Sequence, residues 1–149
     1  MKKPRTLIIG NCIAGISCAE TLRQYGYDGM ISMLSNEDIP GYGRPLISYY
    51  LAGKIAYEKI FLRPDDFYTS KQIDLKLNTK VVDLDLKKKK VKTAEGDSMA
   101  YDHLLIAAGG NPFVPMIEGM QDTDDVCTFT TFADASKIEK KLAGIRKAV

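Results

Sequence analysis

Thr6-Leu7-Ile8-Ile9-Gly10-Asn11-Cys12-Ile13-Ala14-Gly15 opens the chain's first readable element. A short apolar run that stops at a glycine reads as a strand buried on both faces. From Ile13 to Tyr25 apolar residues recur at helical spacing (Ile13, Ile16, Ala19, Leu22), and Gly26 is a natural stop. Met30-Ile31-Ser32-Met33-Leu34 reads as a second strand. Strand, glycine-bearing turn, helix and strand within about 30 residues make a βαβ unit, whose crossover is right-handed. The predicted class is therefore α/β.

The turn itself carries chemistry. A Rossmann-like turn that seats a dinucleotide uses glycine at the first, third and sixth places. The first allows the tight turn, the second lets backbone approach a pyrophosphate, and the third lets helix and strand pack closely. Gly10 and Gly15 fill the first and third of these roles, and Cys12 stands in the second. The helix start then offers unpaired N–H groups and a positive dipole end to phosphates. A ribose-binding acid is expected about 20 residues on. Ser35-Asn36-Glu37-Asp38 supplies Glu37 or Asp38, with Asn36 an uncharged substitute.

Further along, residues 36 to 45 form a loop ending in Arg44-Pro45, whose guanidinium suits an anion or a planar ring edge. Leu46 to Leu51 reads as a short helix closed by Gly53, and Pro64-Asp65-Asp66-Phe67-Tyr68 reads as a helix start. From Ile73 the period shifts towards strands. Val81 to Leu86, Val91 to Thr93 and Tyr101 to Ala107 predict a small antiparallel β-meander feeding an apolar strand, Leu104 to Ala107. Lys87 to Lys90 is a solvated hairpin end. The strand exit, Ala107-Ala108-Gly109, is small enough to leave room for a ligand at the crevice of an open α/β sheet. Pro112 and Pro115 break the chain before a last helix, from near Asp134 to about Leu142.

Composition bounds the rest. The 149 residues carry 21 Lys+Arg and 19 Asp+Glu, a net charge of +2, with 45% hydrophobic residues. That is ordinary globular composition, neither a disordered tail nor a disulfide scaffold. Near-neutral charge gives no reason to expect nucleic-acid binding. No apolar run approaches the roughly 20 residues of a membrane span, so no membrane association is expected. The basic start is followed by an apolar stretch broken at Gly10 and Asn11, which does not suit an export signal. With three cysteines and no CxxC pair, the expectation is reduced thiols and a cytoplasmic setting, with no metal site. His103 reads as an ordinary strand residue.

Together these pieces resemble the amino-terminal part of the pyridine nucleotide–disulfide oxidoreductase superfamily. Within it they resemble the rubredoxin, ferredoxin and nitrite reductase-like branch, which lacks a redox disulfide. The resemblance rests on Ile8-Ile9-Gly10-Asn11 with Ala14-Gly15 and Ala19 to Arg23. Tyr42 with Arg44 to Ser48, Tyr50 to Lys54, Tyr101-Asp102 with Leu104 to Ala107 and Gly109, and Pro112 with Pro115 complete it.

The resemblance implies FAD. On that carry-over Gly10, Ala14 and Gly15 line the pyrophosphate, with Asn11, Cys12 and Ile13 completing the turn. Asn36 or Glu37 meets the adenosine ribose, Arg44 and Pro45 lie towards the flavin, and Val81 presents backbone to the adenine. Ala107, Ala108 and Gly109 close over the cofactor. The implied activity passes electrons from NAD(P)H through FAD to a redox acceptor protein or small-molecule acceptor. Cys12, Ala108 (threonine in relatives) and Tyr49 (lysine in many, so no lysine role carries over) depart from the pattern. Cys12 and Ala108, with a later FAD-domain segment not in this stretch, motivate an alternative: a non-catalytic Rossmann-like domain that has lost the flavin. A nicotinamide-binding unit would begin near Lys147-Ala148-Val149, so residues 1–149 are expected to be a partial FAD-binding domain. Nicotinamide-binding and C-terminal domains are not in this stretch, and self-association into a homo-oligomer is expected.

Overall fold

The computed structural model describes residues 3–120, 123–142 and 144–145. Lys147 to Val149, where a second unit is expected to begin, lie outside the described residues. The chain runs β1 (Arg5–Ile9), α1 (Ile13–Gln24), β2 (Met30–Leu34), α2 (Ile47–Leu51), α3 (Phe67–Ser70), β3 (Ile73–Lys76), β4 (Val81–Asp85), β5 (Lys90–Thr93), β6 (Ser98–Ala100), β7 (His103–Ile106) and α4 (Phe132–Leu142). It divides into two compact units, Met1–Tyr42 with Phe61–Gly109, and Gly43–Ile60 with Gly110–Val149.

In the first unit β3, β2, β1 and β7 form a parallel sheet in that order, and β4, β5 and β6 form a separate antiparallel sheet. Neighbouring residues of β1 enter opposite cores, because side chains alternate across a strand. Ile8 joins Ile16, Ala19, Ile31, Met33, Phe67 and Ile73 under the helices. Leu7 joins Leu34, Val91 and Tyr101 under the meander. Covering on both faces explains why the run Leu7-Ile8-Ile9 of β1 is continuously apolar. Full burial of Ile8 contributes about 1.5–3 kcal/mol.

The α/β fold with a small antiparallel meander is as the sequence predicts, with three differences in detail. Ile73–Lys76 belongs to the parallel sheet, paired with β2 (Ile31↔Ile73), because that edge buries Ile73. The meander's third strand is Ser98–Ala100, and the chain leaves it at Tyr101 and Asp102 before re-entering the parallel sheet as β7. The break is held by Asp102, whose carboxylate accepts from the Arg5 backbone N–H (2.8 Å) and from Arg5 Nε and Nη2 (3.1 and 3.2 Å). The helix after Pro64 is only four residues long, and Asp66 makes no side-chain cap.

In the second unit Tyr50, Tyr57 and Phe132 pack as an aromatic trio with centroids 5.3 to 6.1 Å apart, near the buried residues Ile47, Ile60 and Ala135 of that unit. The start of α4 is a capping arrangement. Thr131 Oγ1 accepts from the Asp134 N–H, and the Asp134 carboxylate accepts from the N–H groups of Thr130 and Thr131 and the hydroxyls of Thr128 and Thr130. Burial pushes the Asp134 carboxyl up, but these bonds outweigh it and hold the group far below the usual carboxylate range.

Candidate functional site

β1, β2 and β7 lie side by side and parallel, with Ile9 level with Leu34 and Ile106. Their carboxyl ends therefore share one edge, which is where open α/β sheets hold ligands. Gly10 to Gly15, Ser35 to Glu37 and Ala107 to Gly109 follow these three strands.

Gly10 has φ +114°, and a Cβ there would stand 2.1 Å from the Ala107 carbonyl oxygen and 3.1 Å from the Ala108 nitrogen. A Cβ on Gly15 would stand 2.1 Å from the Gly10 carbonyl oxygen. Both glycines are thus demanded by close backbone approach. Position 12 makes no such demand: Cys12 has φ −116° and ψ −177°, which any residue adopts. Its thiol donates to the Ala107 carbonyl oxygen at 3.1 Å. Cys12 is the N-cap of α1 but gives it no side-chain hydrogen bond, and the first turn holds no acid. The first N–H bonded in this turn is that of Ile16, to the Cys12 carbonyl (2.9 Å). The N–H groups of Ile13, Ala14 and Gly15 therefore lack intrahelical acceptors, at a positive dipole end whose first turn holds no acid.

The three residues of the turn are each tied to a different element. The Gly10 N–H donates to Leu34 O at 2.8 Å. Cys12 reaches Ala107. The Asn11 Oδ1 accepts from the Tyr68 hydroxyl at 2.7 Å, and that hydroxyl accepts from the Gly41 N–H at 3.1 Å. The Asn11 Nδ2 is buried and has no partner among the described residues. Burial pushes the Tyr68 phenol up.

Beyond β2, the backbone from Ser35 to Glu37 is pinned by Asn78 and Thr79, whose N–H groups donate to Glu37 O (3.0 Å) and Ser35 O (2.6 Å). The Tyr42 hydroxyl donates to Glu37 Oε2 at 2.7 Å, while Asn36 is exposed. Val81 opens β4 and packs against the core under the meander. Gly109 has φ +72° with open space about it. Arg44 and Pro45 belong to the second unit. There Arg44 donates to the Thr130 carbonyl, and the Pro45 carbonyl accepts from the Ser48 hydroxyl at 3.0 Å. His103 is exposed on β7. Among the described residues no group of three His, Cys, Asp or Glu side chains could hold a metal, and the three cysteines are unpaired. Tyr68, and Gly41 through it, are partners of this turn that local sequence signals do not mark, since 57 residues separate Tyr68 from Asn11.

A parallel sheet with a glycine-cradled helix start at its carboxyl edge defines an α/β protein of the Rossmann type. The chain belongs to the pyridine nucleotide-disulphide oxidoreductase family, whose model matches residues 4–149. It is 36% identical over 137 residues to rubredoxin-NAD(+) reductase of Pseudomonas putida, covering 91% of this chain and 35% of that protein. It is 35% identical over 142 residues to an NADH oxidase of Methanocaldococcus jannaschii, covering 91% of this chain and 32% of that protein. Putidaredoxin reductase, in its covalent complex with putidaredoxin, superposes with a TM-score of 0.85 at 29% identity, over 95% of this chain and 35% of that one. The chain spans about a third of the length of the relatives it matches. No helix among the described residues is long and apolar enough to cross a membrane.

Proposed function

We propose that residues 1–149 are the FAD-binding part of an NAD(P)H-dependent flavoprotein oxidoreductase. In the whole protein electrons pass from nicotinamide through FAD to a small redox protein or small-molecule acceptor. Bound FAD supplies the redox chemistry, accepting a hydride and releasing electrons. The chain's own residues bind and orient it.

The observation that carries this reading is the uncapped start of α1. Three N–H groups without intrahelical acceptors and a first turn without acid suit a diphosphate. Gly10 and Gly15 keep Cβ atoms out of the turn, and the Cys12 thiol is engaged by Ala107 instead of by the helix amides. Glu37, oriented by Tyr42, lies one strand over, where the ribose acid belongs. Ala14 continues the first turn of the helix, and Asn36, Arg44, Pro45, Val81, Ala107, Ala108 and Gly109 remain assigned as the resemblance implies.

Relatives named as reductases of rubredoxin and putidaredoxin support a redox-protein acceptor, and support the flavin-binding reading over the alternative of a domain that has lost it. A partial FAD domain agrees with the third of each relative that the chain spans. A cytoplasmic setting, and self-association through exposed side chains such as Phe113 and Met116, belong to the same reading.

Adding FAD to the purified chain tests it. Bound flavin fluorescence and a rise in Tm are expected; at 100 times Kd the stabilisation is about 2.7 kcal/mol. A colourless protein that takes up no added FAD overturns the reading.

A further inference from the structure

The geometry points to Tyr68 as a positioning residue for the diphosphate-binding turn, acting through Asn11; this rests on the FAD reading above.

The turn 10–12 has three anchors. Two come from neighbouring strands of the sheet, Leu34 on β2 through the Gly10 N–H and Ala107 after β7 through the Cys12 thiol. The third comes from α3, through the Tyr68 hydroxyl on Asn11 Oδ1. Asn11 directly precedes the N-cap, so its conformation sets the peptide that leads into the bare helix start.

Asn11 has no second hold among the described residues, because its buried Nδ2 is unpartnered. Without the Tyr68 hydroxyl the Oδ1 end loses its bond too, leaving both ends of this amide without a partner among the described residues, and the Gly41 N–H loses its acceptor as well. Gly41 presses on the same residue: a Cβ there would stand 3.0 Å from both Asn11 O and Oδ1 and 2.4 Å from Ile16 Cδ1. Tyr68 is itself held by an edge-on contact with the buried Phe67 ring, at 5.1 Å between centroids. The hydroxyl thus couples the packing of α3 and the Gly41 loop to the backbone that receives the phosphates. Its role is to fix the turn before ligand arrives, which raises affinity by preorganisation.

The test compares the full chain with Tyr68→Phe, Asn11→Ala and the double variant, using amide exchange without ligand and FAD titration. Tyr68→Phe is expected to accelerate exchange at Gly10, Ile16 and Gly41 while the meander amides are unmoved, and to weaken FAD binding about tenfold. In the Asn11→Ala background the same change is expected to alter Kd less than about twofold, because the link is already cut. Unchanged exchange in Tyr68→Phe, or an equal loss of affinity in both backgrounds, overturns the proposal. If Tyr68→Phe does not fold, Asn11→Ala decides alone: faster exchange at Gly10 and Ile16 with weaker binding supports the role, and wild-type behaviour overturns it. If the wild-type chain takes up no FAD, the function proposed above fails, and the exchange measurement still decides the role of Tyr68.

Discussion

The Cys12 thiol and the Ala107 carbonyl oxygen are joined at 3.1 Å although 95 residues separate them. The residue standing where a middle glycine is expected is thus a tie between the ends of the first strand and the last strand of the parallel sheet. A thiol held this way must break its bond before it reacts. Iodoacetamide near neutral pH is expected to modify Cys12 no faster than Cys127, as read by peptide mass spectrometry. Preferential labelling of Cys12 would show that the tie is not kept in solution.

The two retained glycines answer a different constraint, and alanine discriminates them from ordinary turn glycines. Gly10→Ala and Gly15→Ala each drive a Cβ to 2.1 Å from a carbonyl oxygen. Each is expected to lose about 3 kcal/mol or more in urea unfolding. Gly53, at φ +66° with open space around it, sets the comparison: alanine there is expected to cost about 1 to 2 kcal/mol from backbone strain alone.

Acid should weaken the cap of α4. The Asp134 carboxyl is held far below its ordinary value, so the folded chain binds that proton less readily than the unfolded chain. Its contribution is complete above the unfolded value, near pH 4, and is lost as pH falls towards the folded one. Asp134→Ala is expected to lose about 1 kcal/mol at pH 7 and to show a shallower loss of Tm on acidification. Parallel acid curves for the variant and the wild type would exclude this role.

Tyr42 orients Glu37, so removing its hydroxyl should be felt at the ribose. Tyr42→Phe is expected to cost about 1 kcal/mol of stability and to weaken FAD binding several-fold. Wild-type affinity in that variant would place the ribose contact elsewhere.

The βαβ opening was legible because its signals are local. An apolar run, a glycine, a helical period and a stop glycine lie within one stretch, and the residues from Arg5 to Leu34 need no distant partner to declare their types. The meander is legible for the same reason, through the strand patterns of Val81 to Leu86 and Val91 to Thr93 and the lysine-rich hairpin end between them. The short strand Ile73–Lys76 was not assignable to a sheet, since four residues pair as well in either direction until a neighbour is available. Ser98–Ala100 carries no strand signal of its own as the third meander strand, because the stronger apolar pattern begins just after it, at Tyr101.

From the sequence alone came the α/β class, the glycine turn, the family resemblance and most of the candidate site, since each rests on residue types at short spacing. Tertiary structure decided what that spacing cannot carry. It placed β3 beside β2, turned the Cys12 thiol onto Ala107 and brought Tyr68 to Asn11. These are contacts between residues 42 to 95 positions apart. They join elements that the shared burial of Ile8, Ile16 and Ile73 holds together, so they depend on the packed core.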